Sequence, residues 1–181
     1  LEVRFLDATI AGSSVQVSDG QVIVMVGGSE EAFRSAHKLL ASFAREVFHV
    51  GPWGSGSRMK LVVNLAIGLN RAALAEALVL AKALELNPQS ALAILKASPA
   101  YSTVMDTKGP KMLSGDFTPE ARLSQHLKDV RLILQAAART GVDLPLSTTH
   151  CQLLERAEAS GLGELDNAAI IRALGASKNS P

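Results

Sequence analysis

The run from Gly54 to Leu86, GSGSRMKLVVNLAIGLNRAALAEALVLAKALEL, contains no proline and is dominated by leucine, alanine, valine and glutamate. Residues of these kinds tolerate or favour a helix. Val62, Leu65, Ala66, Leu69, Ala72, Ala73, Leu80 and Leu84 recur at three- and four-residue steps, which predicts a long helix with a buried face. Apolar residues cover much of the remaining circumference, so burial on most sides, between domains or subunits, is expected. Two polar residues, Lys60 and Asn64, interrupt the first turns. Their separation places both on one face, about 5–6 Å apart at Cβ. They need a reason.

The chain changes character at this helix. Residues 1–53 read as mixed α/β. Val3–Ala8 is predicted as a strand ending in the turn-prone Ala11-Gly12-Ser13-Ser14, and Val22–Val26 as a second, apolar strand. Ser29 supplies an N-cap, with Glu30 and Glu31 in the first turn, for a helix Glu30–Phe43. Its expected inner face is Phe33, Ala36, Leu39, Leu40 and Phe43. Val47–Val50 is a short third strand, and Gly51-Pro52-Trp53-Gly54 breaks the pattern. Beyond Gly56 only helices are expected. Pro88–Ala97 begins with a first-turn proline. Residues 98–118 read as irregular, with a short helix near Thr103–Lys108. Pro119–Thr140 is amphipathic through Leu123, Leu127, Val130, Leu134 and Ala137, and Gly141 closes it. Pro145–Ser160 and Asn167–Leu174 complete the set, before a frayed tail at Ser177–Pro181. The expected class is mainly α, with residues 1–53 as a small α/β part and 54–181 as an all-helical domain.

Composition narrows the function. Hydrophobic residues make up 48% of 181 and aromatics 4%, which suits an aliphatic core of packed helices. The 18 basic and 17 acidic side chains nearly cancel, so no electrostatic argument favours nucleic acid or an anionic membrane as partner. Cys151 is the one cysteine, as a reducing compartment permits. Charges interrupt the apolar runs, and the N-terminus lacks a signal peptide's basic and apolar regions. A cytoplasmic protein is expected. The sequence opens inside what reads as a strand, without an initiator methionine, as a fragment would.

Three constellations could carry chemistry. A lysine near a helix start can give a proton or a hydrogen bond to a substrate oxygen, and Asn64 could orient that oxygen. Equally, Lys60 could snorkel to solvent and Asn64 could bond to a loop. Gly12-Ser13-Ser14 after a strand can grip a carboxylate through N–H and hydroxyl groups, or can be an ordinary turn. Lys128-Asp129 in the Pro119–Thr140 helix is either a functional pair at the edge of a buried face or a solvated one. Gly54-Ser55-Gly56 fails as a dinucleotide fingerprint, because Met59 holds the third glycine position and no acidic residue follows in a later strand. His37, His49, His126 and His150 show no metal spacing, and no metal site is expected.

Taken in order, these segments resemble the β-hydroxyacid dehydrogenases, the family of 3-hydroxyisobutyrate dehydrogenase and tartronate semialdehyde reductase. Asp7-Ala8-Thr9-Ile10-Ala11-Gly12-Ser13 resembles the family's D-A-P-V-S-G-G segment, and Val22–Gly28 its L-x-I-M-V-G-G strand. Gly54-Ser55-Gly56 with Lys60 and Asn64 is similar to G-x-G-x-x-x-K-x-x-x-N. Phe117-Thr118-Pro119 through Leu127-Lys128-Asp129 resembles F-S-P…L-K-D, and Val142–Leu146 the G-x-x-x-P-L segment. The resemblance implies an NAD(P)-dependent enzyme that reversibly oxidises a small β-hydroxyacid. It implies Lys60 as general acid/base, Gly12, Ser13 and Asn64 as substrate-binding residues, and Lys128 at the cofactor. It also implies a Rossmann domain with its phosphate loop in the full-length enzyme, a helical domain like that of 6-phosphogluconate dehydrogenase, and a homodimer or homotetramer. This chain, holding only the distal part of the Rossmann domain, is expected to be inactive alone. Departures from the motif are Thr9-Ile10 for Pro-Val, Ala11 for serine, Ser13 for glycine, and Ala121-Arg122 after the F-S-P-like segment. The competing expectation is a non-catalytic homologue serving as a helical dimerisation or binding module.

Overall fold

The structure is a computed structural model and describes residues 3–12 and 14–175. Ser13 and the tail at Ser177–Pro181 lie outside the described residues. The chain divides into two compact units, Leu1–Asn64 and Leu65–Pro181.

The first unit contains β1 (Asp7–Ala11), α1 (Ser14–Ser18), β2 (Val22–Gly27), α2 (Glu30–Leu40), β3 (Ala44–Gly51) and the first turns of α3 (Ser55–Ala83). β2 is central, antiparallel to β1 and parallel to β3. Val22, Val24, Met25 and Val26 of β2 are all buried, which explains why the strand is apolar without alternation. β1 starts four residues later than Val3, because Asp7 already pairs with Gly27 at the end of β2. Val3 and Phe5 are exposed. β3 runs longer than Val47–Val50 because its ladder on β2 extends from Ala44 to Gly51.

Ser29 caps α2 by accepting the Ala32 N–H. The helix ends at Leu40 rather than Phe43, where Ser42 and Phe43 donate to Leu39 and Leu40 in a tightened last turn. Ala32, not Leu39, is its buried residue, and Leu39 is 70% exposed. Phe33 instead stacks on His49 of β3 at 4.9 Å. The short α1 replaces part of the expected turn.

The second unit holds the rest of α3, then α4 (Pro88–Ala97), α5 (Val104–Ser114), α6 (Leu123–Thr140) and α7 (Pro145–Ala157). A π-type turn at Glu158–Leu162 and a 3₁₀ segment at Asn167–Ala173 follow. Leu74, Leu78, Leu123, Leu127, Leu154 and Ile170 centre its core. The buried face of α3 in this unit is Arg71, Leu74, Ala75, Leu78 and Ala81, whereas Leu80 and Leu84 of the expected stripe are exposed. Burial on most sides is not found within this chain. Leucine and alanine populate every side of the helix, so the repeat has no unique phase. By length and composition α3 could cross a membrane, a property that core helices of soluble proteins share.

α5 continues through Pro110 to Ser114 instead of stopping at Lys108. Met105, Gly109 and Met112 fall on its buried face on both sides of the proline, and Gly115 at φ 73° closes the helix. α6 starts at Leu123, not Pro119, because the N–H groups of Glu120 and Ala121 are bound by the Asp166 carboxylate. Gly141 ends α6 in the left-handed region, as expected.

Candidate functional site

The site begins with a carboxylate that the sequence reading left without a role. Asp7 Oδ1 accepts the N–H of Gly54 at 2.8 Å, and Oδ2 that of Ser57 at 2.7 Å. One strand residue thereby satisfies donors at the start of α3, where a negative charge is favoured. Burial pushes the Asp7 carboxyl up, but the backbone N–H groups of Ser57 and Gly54 outweigh it and hold the group below its ordinary range. Two residues along the same strand, the Thr9 hydroxyl donates to the Gly56 carbonyl at 2.9 Å. Gly56 is there because backbone meets backbone. A Cβ on it would lie 2.5 Å from the Asp7 carbonyl oxygen and 2.7 Å from that of Met25.

With α3 fixed against β1, Lys60 falls opposite the end of that strand. Its Nζ donates to the Ile10 carbonyl at 2.6 Å. Gly12 lies two residues beyond Ile10 at φ 146°, and a Cβ there would come 2.7 Å from Val22 Cγ1. Both its backbone conformation and its packing therefore favour glycine. Asn64 follows Lys60 by one turn, within the same unit. The structure thus brings Lys60 to the strand end that carries Gly12. Ser13 lies outside the described residues. Lys128 is an exposed residue of α6 in the second unit.

The second unit contains two polar clusters that the sequence reading missed. Asp166 is fully buried and accepts Lys108 Nζ at 3.0 and 2.9 Å, together with the N–H groups of Glu120, Ala121 and Ala168. It ties the segment before α6 to the 3₁₀ segment, and its own N–H donates to Phe117. Arg172 lies over the Phe117 ring at 4.5 Å. Its only sequence signal was an aspartate at the cap position of Asn167–Ala173. The other cluster is Arg71, His126 and His150. All three are buried, and the imidazoles are 5.2 Å apart.

Comparison with known proteins gives this geometry its lineage. A family model described as the NAD-binding domain of NADP-dependent 3-hydroxyisobutyrate dehydrogenase matches residues 54–174. The chain belongs to the β-hydroxyacid dehydrogenase family. A second model, the NAD-binding domain of 6-phosphogluconate dehydrogenase, matches residues 1–51. Among its relatives, 2-(hydroxymethyl)glutarate dehydrogenase of Eubacterium barkeri is 34% identical over 94% of this chain and 57% of its own length. The 3-hydroxyisobutyrate dehydrogenase of Salmonella typhimurium superposes with a TM-score of 0.88 at 28% identity, over 93% of this chain and 60% of that one. The Mycobacterium tuberculosis 3-hydroxyisobutyrate dehydrogenase solved with L-serine gives 0.84 at 29% identity, over 94% and 61%. The chain therefore spans about three fifths of the relatives it matches. The mainly helical class with a small α/β part is common to this chain and to the matched portion of the Salmonella enzyme.

Proposed function

We propose that this chain supplies the substrate-handling part of an NAD(P)-dependent β-hydroxyacid dehydrogenase in which Lys60 is the general acid/base. The observation that carries this reading is the Lys60 Nζ hydrogen bond to Ile10, which holds the amino group at the strand end bearing Gly12. The substrate's carboxylate is received by Gly12 and Ser13, whose N–H groups and hydroxyl suit an anion. Its hydroxyl, placed against Lys60 and oriented by Asn64, passes its proton to the neutral amine as the carbon loses hydride. In the reverse direction the ammonium returns that proton to the carbonyl oxygen.

NAD or NADP, when bound, takes up or returns the hydride. The chemistry of the donors in this chain fits such a cofactor in part. Lys128 offers an exposed ammonium suited to the anionic and carboxamide groups of a dinucleotide, and we assign it to cofactor contact. Residues 1–53 act in this scheme as the distal part of the dinucleotide-binding domain, and 54–181 as the substrate and oligomerisation domain of a cytoplasmic homodimer or homotetramer.

The test uses the product of the intact gene, assayed with a panel of short β-hydroxyacids and both cofactors beside Lys60→Ala. Turnover that falls about 10²–10⁴-fold with little change in KM supports the assignment. Absence of turnover with every acid, or an unaffected variant, would leave a helical dimerisation or binding module as the better account.

A further inference from the structure

The core of the second unit contains a buried cation, Arg71, with donors that no group of the described residues meets. Arg71 is 3% exposed, His126 7% and His150 3%. Among the described residues, Nε and Nη1 of Arg71 and Nε2 of both histidines are buried and have no hydrogen-bond partner. A buried polar group without a partner is costly, and a buried charge far more so.

The three side chains converge on one turn of α3. A Cβ on Gly68 would lie 2.6 Å from His126 Nε2 and 2.9 Å from His150 Cε1, so the missing side chain lets both rings approach the helix. Arg71 lies three residues on, hence on the same face. The carboxylate that acts on Arg71 is Asp166. Its oxygens are already engaged by Lys108 and by three backbone N–H groups. Lys108 also meets Glu120 at 3.6 Å, whereas among the described residues no carboxylate forms an ion pair with Arg71. Burial first, then the nearby Arg71 charge, lowers both histidines, so their rings are neutral near pH 7 and each can carry its N–H on Nε2. The available atoms on Arg71 are all donors. An acceptor-only guest with a negative charge meets both needs, whereas a water molecule supplies hydrogen bonds but no charge.

We infer that Arg71, His126 and His150 form a buried binding site for a small monovalent anion of the halide class. Anion binding there does not depend on the chemistry assigned to Lys60.

The test is a halide titration of the chain at constant ionic strength, with fluoride as the strongly hydrated counterpart. Chloride and bromide should raise the melting midpoint saturably, by roughly 5–10 °C at about a hundredfold excess over Kd. Arg71→Met should abolish that response. Because the variant could fail to fold, crystals of the unmodified chain soaked in bromide give an independent reading. An anomalous peak between Arg71, His126 and His150 is expected. A linear, unsaturable salt response, or crystals showing an ordered water there and no bromide, would overturn the inference.

Discussion

Asp7 and Ser57 are 50 residues apart in sequence, and the carboxylate of the first accepts the backbone N–H of the second at 2.7 Å. With Gly54 on the other oxygen, this contact sets where α3 starts relative to β1, and so where Lys60 falls. Asp7→Ala should cost about 1–2 kcal/mol of stability, the range for losing a helix cap. Asp7→Asn keeps one acceptor oxygen and should cost less. Urea midpoints for both variants test the order, and equal midpoints for Asp7→Ala and the parent chain would refute the capping role.

Lys60 should behave as a group in contact with reacting atoms. In the intact enzyme, Lys60→Arg keeps a positive charge that can hydrogen-bond to Ile10, but an arginine does not give up its proton near neutrality. We expect Lys60→Arg to fail nearly as badly as Lys60→Ala in kcat while folding normally. Recovery of most of the activity by Lys60→Arg would mean that charge alone, and no proton transfer, is what the position supplies.

Parts of this arrangement were legible in the sequence because they are local. Ser29 before two glutamates, Pro88 and Gly141 mark helix ends through their own side chains or backbone preferences, and the structure begins or ends a helix at all three. The spacing of Lys60 and Asn64 likewise needs only one helix. What Lys60 touches did not show, because a backbone carbonyl such as that of Ile10 has no side-chain signature. The buried face of α3 was missed because the helix is apolar nearly all round. Arg71 was missed because a charged residue is by default assigned to the surface. His126 and His150 meet only through the packing of α6 on α7, which no spacing reveals.

Gly56→Ala tests the close approach of α3 to the sheet. The new Cβ would meet two backbone oxygens, of Asp7 and Met25, neither of which can rotate aside. A cost of about 1–3 kcal/mol is expected, with lower kcat in the intact enzyme because the whole first turn must shift. Thermal unfolding and steady-state kinetics read the two effects separately. A variant as stable and as active as the parent would show that the helix start is not constrained there.

Asp166 has a different kind of importance. Its removal leaves Lys108, only 12% exposed, without its main counter-charge, and frees three backbone N–H groups. Breaking one side of such a buried pair costs about 3–5 kcal/mol. Asp166→Ala should therefore unfold the helical unit far more readily than Lys108→Met with Asp166→Leu together. A double variant no more stable than Asp166→Ala alone would contradict the explanation by unpaired charge.

The buried histidines set the response to acid. Desolvation, then the nearby charge of Arg71, brings His150 down to about 4, while desolvation, Arg71 and His150 hold His126 well below its ordinary value. Unfolded, both rings take up a proton near pH 6.5. Between that value and about pH 4 the unfolded chain binds more protons than the folded one. Stability is therefore complete above roughly pH 6.5 and falls as the pH drops toward 4. The slope reaches at most about 1.4 kcal/mol per pH unit for each histidine. Urea unfolding at pH 7, 6 and 5, in buffers of fixed low halide, measures it. His150→Leu should remove its share of the slope while leaving that of His126. A flat profile across this window in the unmodified chain would mean that the two rings are protonated in the folded state, and that Arg71 does not face them.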